Sequence, residues 1–251
     1  LQIFSNTTIY WQQENCRSLI SVEVMNLRKI HKKIFFTMLL CLVFCLTPAT
    51  LCHAETYYEN ETTGYRVEIE DDYTLILVDI PIIEIRNDQK AYTAIPLGIL
   101  LLDDFLITIC AEETPVLQYF VNSTVREFST KKQMRFVYQI LYRTCMVYQL
   151  YLRTIDSKRT EIEERAQEDM KEADLVTLHE LESNLVYFAT SLRANGAVID
   201  RLSRYSRVRQ FPEDKDLLDD VKVENGQAIE MTIIYRDIIH GTRELVSTII
   251  N

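Results

Sequence analysis

Residues 212–231 read PEDKDLLDDVKVENGQAIEM, and residues 235–242 read YRDIIHGT. Pro212 followed by Glu213 and Asp214 is the composition of a helix N-terminus, where a missing N–H costs nothing and acidic groups meet the positive end of the dipole. No proline interrupts the chain from Glu213 to Asn251. Apolar or small residues fall at Leu217, Val221, Ala228, Met231, Tyr235, Ile238, Thr242, Leu245 and Ile249, an alternating four-three spacing once Glu224 fills one slot. A seam of this kind packs on other helices. The spacing predicts one helix over residues 213–251. At 1.5 Å per residue, ~38 residues make roughly 57 Å of helix. That is too long to bury within one small domain, so part of the seam is expected to meet other copies of the chain.

Upstream, residues 129–212 predict a long helical hairpin. Its first helix carries Phe136, Val137, Ile140, Leu141, Val147, Leu150, Tyr151 and Ile155 at helical spacing, then turns polar and acidic. Its second, from about Ala173 to about Arg207, carries Leu178, Leu181, Leu185, Phe188 and Leu192 as one stripe. The acidic tips meet near residues 169–174, so the two helices should fold back on each other. FPEDKD, at residues 211–216, ends the second helix and caps the third.

Residues 62–128 read as a small αβ subdomain. YTLILVDIPII (73–83) is a β-branched strand broken at Pro81, AYTAIPLGILLL (91–102) a second strand, and FLITICA (105–111) a third. The last two predict an antiparallel hairpin around Asp103-Asp104. Thr114-Pro115 is an N-cap and first-position pair opening a short helix. The fold class is therefore α+β, an αβ subdomain followed by long helices.

Residues 1–61 are of another kind. Residues 25–54 have a basic head, an apolar run over 34–46 and a small, polar close, the layout of a secretory signal peptide. Residues 1–24 show no clear period. Sequons begin at Asn6, Asn60 and Asn122, and matter only in an exported chain. Of the cysteines, Cys16, Cys41, Cys45 and Cys52 lie in this segment, while Cys110 and Cys145 sit in an apolar strand and helix and read as buried thiols. The net charge of −10 argues against a nucleic-acid partner and for cations or basic partners. With Gly 5 and Pro 5, turns are few and helices long. No CxxC, GxSxG, P-loop or GxGxxG occurs, and His31, His53, His179 and His240 have no second His or Cys at metal spacing. Nothing here points to an enzyme.

YTLILVDIP, IPLGILLLDDFLITIC, EETPVL, LHELESNLVYFATSLRAN and PEDKDLLDDVKVENGQAIEM with YRDIIHGT, in this order and spacing, together resemble the cytosolic part of CorA-type magnesium channels from about Tyr65 to Asn251. The resemblance implies that residues 213–251 are a stalk helix leading toward transmembrane helices and a Gly-Met-Asn loop, none of which these residues contain. It implies a homopentamer on the cytoplasmic face of the cell membrane. It also implies regulatory Mg²⁺, with Co²⁺ and Ni²⁺ as alternative ions, held between subunits by stalk carboxylates. Counted back from Gly241, Asp220 falls on the principal carboxylate and Glu244 on a second, and Glu230 is a further candidate on the same helix. Mg²⁺ keeps several waters and needs only one or two carboxylates, so a sparse acidic site suffices. The acidic tip around residues 161–172 would add to the cation field. The opening strands of the family's sheet have no counterpart visible in residues 1–60, which leaves a sheet edge exposed. The competing reading, carried by residues 25–54, is a secreted or periplasmic helical protein that binds a partner through its seam. The body is longer and richer in specific features, and outweighs it.

Overall fold

A computed structural model of the chain describes residues 7–9, 19–24, 66–86, 89–102, 106–121, 132–165, 172–204 and 211–250. The signal-like stretch, the Asp103-Asp104 turn, the asparagines of the three sequons and the tip at 166–171 lie outside them. The chain divides into two compact units, residues 1–77 with 96–113, and residues 78–95 with 114–251.

The first unit is built on an antiparallel sheet. Strands β1 (Thr7–Ile9), β2 (Leu19–Val24), β3 (Val67–Ile69), β4 (Thr74–Arg86), β5 (Gln89–Leu101) and β6 (Leu106–Cys110) are ordered β1-β2-β6-β5-β4-β3. The β5–β6 hairpin expected from the sequence is present, Leu97 opposite Cys110 and Leu101 opposite Leu106. Two expectations are corrected. Residues 1–24 contain strands after all: β2 pairs with β6, Leu19 opposite Cys110, and β1 continues the sheet. LISVEV is β-branched at alternate positions, but a strand of this length carries little periodic signal. Pro81 and Pro96 also do not break their strands. Each proline removes one donor yet keeps an extended backbone, and it pushes the residue before it away from helical angles. In β4, Thr74 and Ile76 are buried and alternate with half-buried Leu75 and Leu77, a strand with one face on a core.

The second unit holds the far part of the β4–β5 hairpin, residues 78–95, and the helices α1 (Pro115–Val121), α2 (Gln133–Arg165), α3 (Glu172–Leu202) and α4 (Pro212–Ile250). Thr114 caps α1 as expected, its Oγ1 accepting from Val116 N at 3.2 Å. The α3 stripe Leu178, Leu181, Leu185, Phe188 and Leu192 is buried throughout. On α2 the stripe holds except at Leu150, which is exposed. Tyr148 and Phe188 are fully buried and meet edge to face, 4.9 Å between ring centres at 89°, a geometry that aromatic quadrupoles favour. Phe120 and Phe136 make the same kind of contact between α1 and α2 at 5.2 Å.

The stalk α4 packs along both α2 and α3, and each of them touches α4 far more than it touches the other. Its cap is built on Asp214, which accepts from Phe211 N through Oδ2 at 2.9 Å and faces Arg135 of α2 at 3.5 Å. Its buried positions are Asp214, Leu218, Val221, Asn225, Ala228, Thr232, Ile239, Thr242 and Val246. This corrects the expected seam. Val221, Ala228 and Thr242 are shared, but the sequence places apolar residues side by side at 217–218, 238–239 and 245–246, so two stripes about 100° apart fit the same spacing. The chain buries the second member of each pair and leaves Ile238 and Leu245 exposed. The buried face is filled by helices of the same chain down to Val246, while Ile238 and Leu245 of the expected seam stay uncovered within one chain.

Cys110 and Cys145 are buried, as their apolar settings imply. Burial, and to a lesser degree the Glu224 carboxylate, push the Cys145 thiol from its ordinary value near 9 up to about 12.

Two outcomes follow from this packing. Phe188→Ala, which empties the fully buried contact with Tyr148, is expected to cost about 3–5 kcal/mol, read by urea unfolding. Above pH 9 the Cys145 thiol ionises in the unfolded chain but stays protonated in the folded one. The unfolded state then binds fewer protons, so stability falls with rising pH from about 9 and this loss levels off near 12. Unfolding titrations at stepped pH should show the decline in the native chain and a shallower one in Cys145→Ala.

Candidate functional site

One face of the stalk is buried, and the face opposite it is continuous and exposed. Positions 216, 220, 223, 227, 230, 234, 238, 241 and 245 recur every three or four residues and are all exposed, so they form one outward stripe. Its upper half carries Asp216, Asp220 and Glu230, with Asp219 beside it. Its lower half carries Ile234, Ile238 and Leu245, whose side chains are 53%, 40% and 49% exposed. Gly241 interrupts the lower half, and a side chain there would meet open space.

Asp220, Glu230 and Glu244 are all exposed, and the structure does not bring them together within one chain. At 1.5 Å per residue, Glu230 lies about 15 Å and Glu244 about 36 Å along the helix from Asp220. Among the described residues, no cluster of three or more His, Cys, Asp or Glu could hold a metal ion. Asp220 makes no ion pair among the described residues, while its neighbour Asp219 is reached by Lys222 at 3.4 Å. Glu244 is engaged, with His240 Nε2 at 3.4 Å and with Arg243 following His240 in a chain of contacts that ends on Glu182 of α3 at 2.6 Å. Both His179 and His240 are exposed.

Tyr142 of α2 lies in the field of the upper stalk. Burial, then the carboxylates of Glu224 and Asp220, raise its phenol above the ordinary value, because ionisation would place a third negative charge beside them. Glu224 itself is held from the inside by Gln149 Nε2, which donates to its Oε2 at 2.6 Å. Sequence reading put Glu224 in an apolar slot and missed Gln149. The signal was a Gln at 149 and an acidic residue at 224, each interrupting an otherwise apolar helical stripe.

Several carboxylates of the acidic hairpin tip are paired within the chain. Lys158 holds Glu161, whose carboxyl it keeps below the ordinary range. Arg159 binds Asp156 and Glu163, and Arg165 binds Asp174. Glu164 and Glu172 stay exposed and make no ion pair among the described residues, as do Asp216 and Asp220 on the upper stalk. Mg²⁺ takes oxygen ligands and retains waters, and an exposed, unpaired Asp220 fits that donor chemistry as one ligand, not as a complete set.

Comparison with known proteins agrees with this architecture. The family described as CorA-like Mg²⁺ transporter protein matches residues 52–251. The cobalt/magnesium transport protein CorA of Methanocaldococcus jannaschii is 24% identical over 190 residues, 74% of this chain and 58% of that protein. The chain thus spans less than two thirds of the length of this relative. The soluble domain of CorA from the same organism superposes with a TM-score of 0.64 at 23% identity, covering 73% of each chain. The complete CorA magnesium transporter of that organism gives 0.63 at 21% identity, over 87% of this chain and 67% of the other. At these identities the structures speak for the fold, an α+β body with a long terminal helix. The family match is independent of them and runs over most of the sequence, through the sheet, the helical hairpin and the stalk: the chain belongs to the CorA-like Mg²⁺ transporter family.

Proposed function

We propose that this chain is the cytosolic, Mg²⁺-sensing part of a CorA-like divalent-ion channel, and that its stalk assembles around the outward stripe with copies of itself, as a pentamer. The observation that carries the reading is the division of that stripe: Asp216 and Asp220, without an ion pair among the described residues, above, and exposed Ile234, Ile238 and Leu245 below. The buried seam is already filled, so a second copy has only this face of the helix to meet. Its apolar half supplies association. Its acidic half opposes association, because like charges of neighbouring stalks approach one another.

Asp220 is the principal ligand in this reading, with water completing the shell, and Glu230 and Glu244 are subsidiary. A bound divalent cation supplies positive charge between facing carboxylates. Asp220 of each copy then changes from a repelling group to a bridging one, and the symmetric assembly holds. When the cation is lost, Asp216 and Asp220 repel their counterparts and the stalks part. This is a two-state element biased by its ligand. Mg²⁺ is the ion the family description favours, and Co²⁺ presents the same charge. The exported, partner-binding reading rests on residues 25–54 alone, whereas the family match covers residues 52–251.

Among the described residues no helix is long and apolar enough to cross a membrane. In this reading, which rests on the family match, the stalk is the element that would connect to the pore of the whole transporter, on the cytoplasmic face.

Sedimentation velocity on residues 1–251 tests this directly. Millimolar Mg²⁺ should shift the chain to a larger species. Asp220→Asn removes the repelling charge together with the ligand, so the variant should associate to an extent that Mg²⁺ no longer changes. A native chain whose mass ignores Mg²⁺, or an Asp220→Asn variant that responds to Mg²⁺ like the native one, would sink the assignment.

A further inference from the structure

Partway along the stalk the buried seam changes from apolar to amide. Asn225 stands between Val221 and Ala228 and is 4% exposed. Its Nδ2 donates to the Leu192 carbonyl of α3 at 3.2 Å, and its Oδ1 lies 4.0 Å from the Cys145 thiol of α2. Gly196 permits this approach, since a Cβ there would lie 3.2 Å from Asn225 Nδ2. One residue earlier, Gln149 of α2, 2% exposed, donates to both the carboxylate and the carbonyl of Glu224, at 2.6 and 3.3 Å. On α3, beside Gly196, Asn195 closes two bonds with the backbone of Asp79: Asp79 N donates to its Oδ1 at 2.8 Å, and its Nδ2 donates to Asp79 O at 2.7 Å.

We infer that this amide layer is a register latch: Asn225 and Gln149 fix the axial position of the stalk against α2 and α3, so that α2, α3 and α4 move as one body. The apolar part of the seam cannot do this. Leu218, Thr232, Ile239 and Val246 fall at seven-residue steps on either side of Asn225, so sliding the stalk by whole turns returns apolar or small residues to similar surroundings. Hydrophobic burial is non-directional and barely distinguishes such registers. An amide moved by one turn loses its partners while it stays buried, and that loss is specific to the wrong register. A single buried Asn sets register in coiled coils by the same asymmetry. A signal received on the stalk's outer face therefore reaches the hairpin helices by rigid movement of all of them, and not by a sliding stalk. The inference goes beyond the proposed function and does not depend on it.

Spin labels at Val186→Cys on α3 and Lys215→Cys on the stalk, both exposed in the native chain and the second outside the outward stripe, report the register by double electron–electron resonance. Cys16, Cys41, Cys45 and Cys52 are replaced by serine, the buried Cys110 and Cys145 are kept, and labelled chain is diluted with unlabelled chain. The native register should give one narrow distance, the same with and without millimolar Mg²⁺. Asn225→Leu should broaden it or add a population displaced by about one turn, ~5.4 Å along the helix. Gly196→Ala, which crowds Asn225 but leaves the amide, should broaden it less. A native distance that moves by a turn on adding Mg²⁺ overturns the latch, and so does an Asn225→Leu distribution as narrow as the native one. If Asn225→Leu does not fold, a narrow native-like distribution in Gly196→Ala is the overturning result. Mg²⁺-driven assembly with an unchanged distance supports both ideas, and an unchanged distance without assembly supports the latch alone.

Discussion

A helix of 39 residues cannot hold itself straight and in place by its own hydrogen bonds, and in this chain the burial of one stalk face between α2 and α3 is what the other features answer to. The two hairpin helices, 33 and 31 residues long, supply walls of nearly matching length. The stalk is tied to them at successive levels. Asp214 meets Arg135 near its start, Asn225 and Glu224 meet α3 and α2 lower down, and Arg243 meets Glu182 toward its end. The first buries the Asp214 carboxylate against Arg135, and the third, nearer the surface, is a charged contact worth little in water. The middle level is buried, and there geometry decides more than charge.

With one face committed, the composition of the other follows. A helix with only one partnered face needs a polar opposite side to stay soluble, and the upper half meets that with aspartates. The lower half does not: Ile234, Ile238 and Leu245 are exposed on a helix whose buried seam is already satisfied. Scattered exposed apolar residues are ordinary, but three at helical spacing on one face are the usual mark of a surface that meets another protein.

Much of this architecture was legible in the sequence, and the failures have physical causes. The α3 stripe and the Thr114-Pro115 cap could be read because each signal was unambiguous and local. The stalk's existence was clear, but its buried face was not, because adjacent pairs such as Ile238-Ile239 serve two faces equally well until a neighbour chooses. Asn225 settles that choice: it is buried because Leu192 and Gly196 lie opposite it, more than 25 residues away in sequence, which no local period reports. The short strands β1 and β2 were missed because pairing with β6, not their own pattern, makes them strands. Asp220 was singled out by resemblance. Any ligands facing it would belong to other copies and leave no trace in one chain's sequence.

The division of the outward stripe also bears on why a divalent ion, rather than salt alone, would control such an assembly. At physiological ionic strength exposed charges are screened within about 8 Å, so carboxylates far from the contact contribute little to repulsion between stalks. In the proposed assembly only those of the outward stripe would, and these are Asp216, Asp220 and Glu230. Monovalent salt weakens their repulsion gradually and leaves the apolar half of the stripe almost untouched. A divalent cation with carboxylate ligands from two chains does something salt cannot: it converts the repelling pair into a bridge at one level of the stalk. Because the stalk is latched to α2 and α3, whatever that bridge gains or loses is felt by the three helices together.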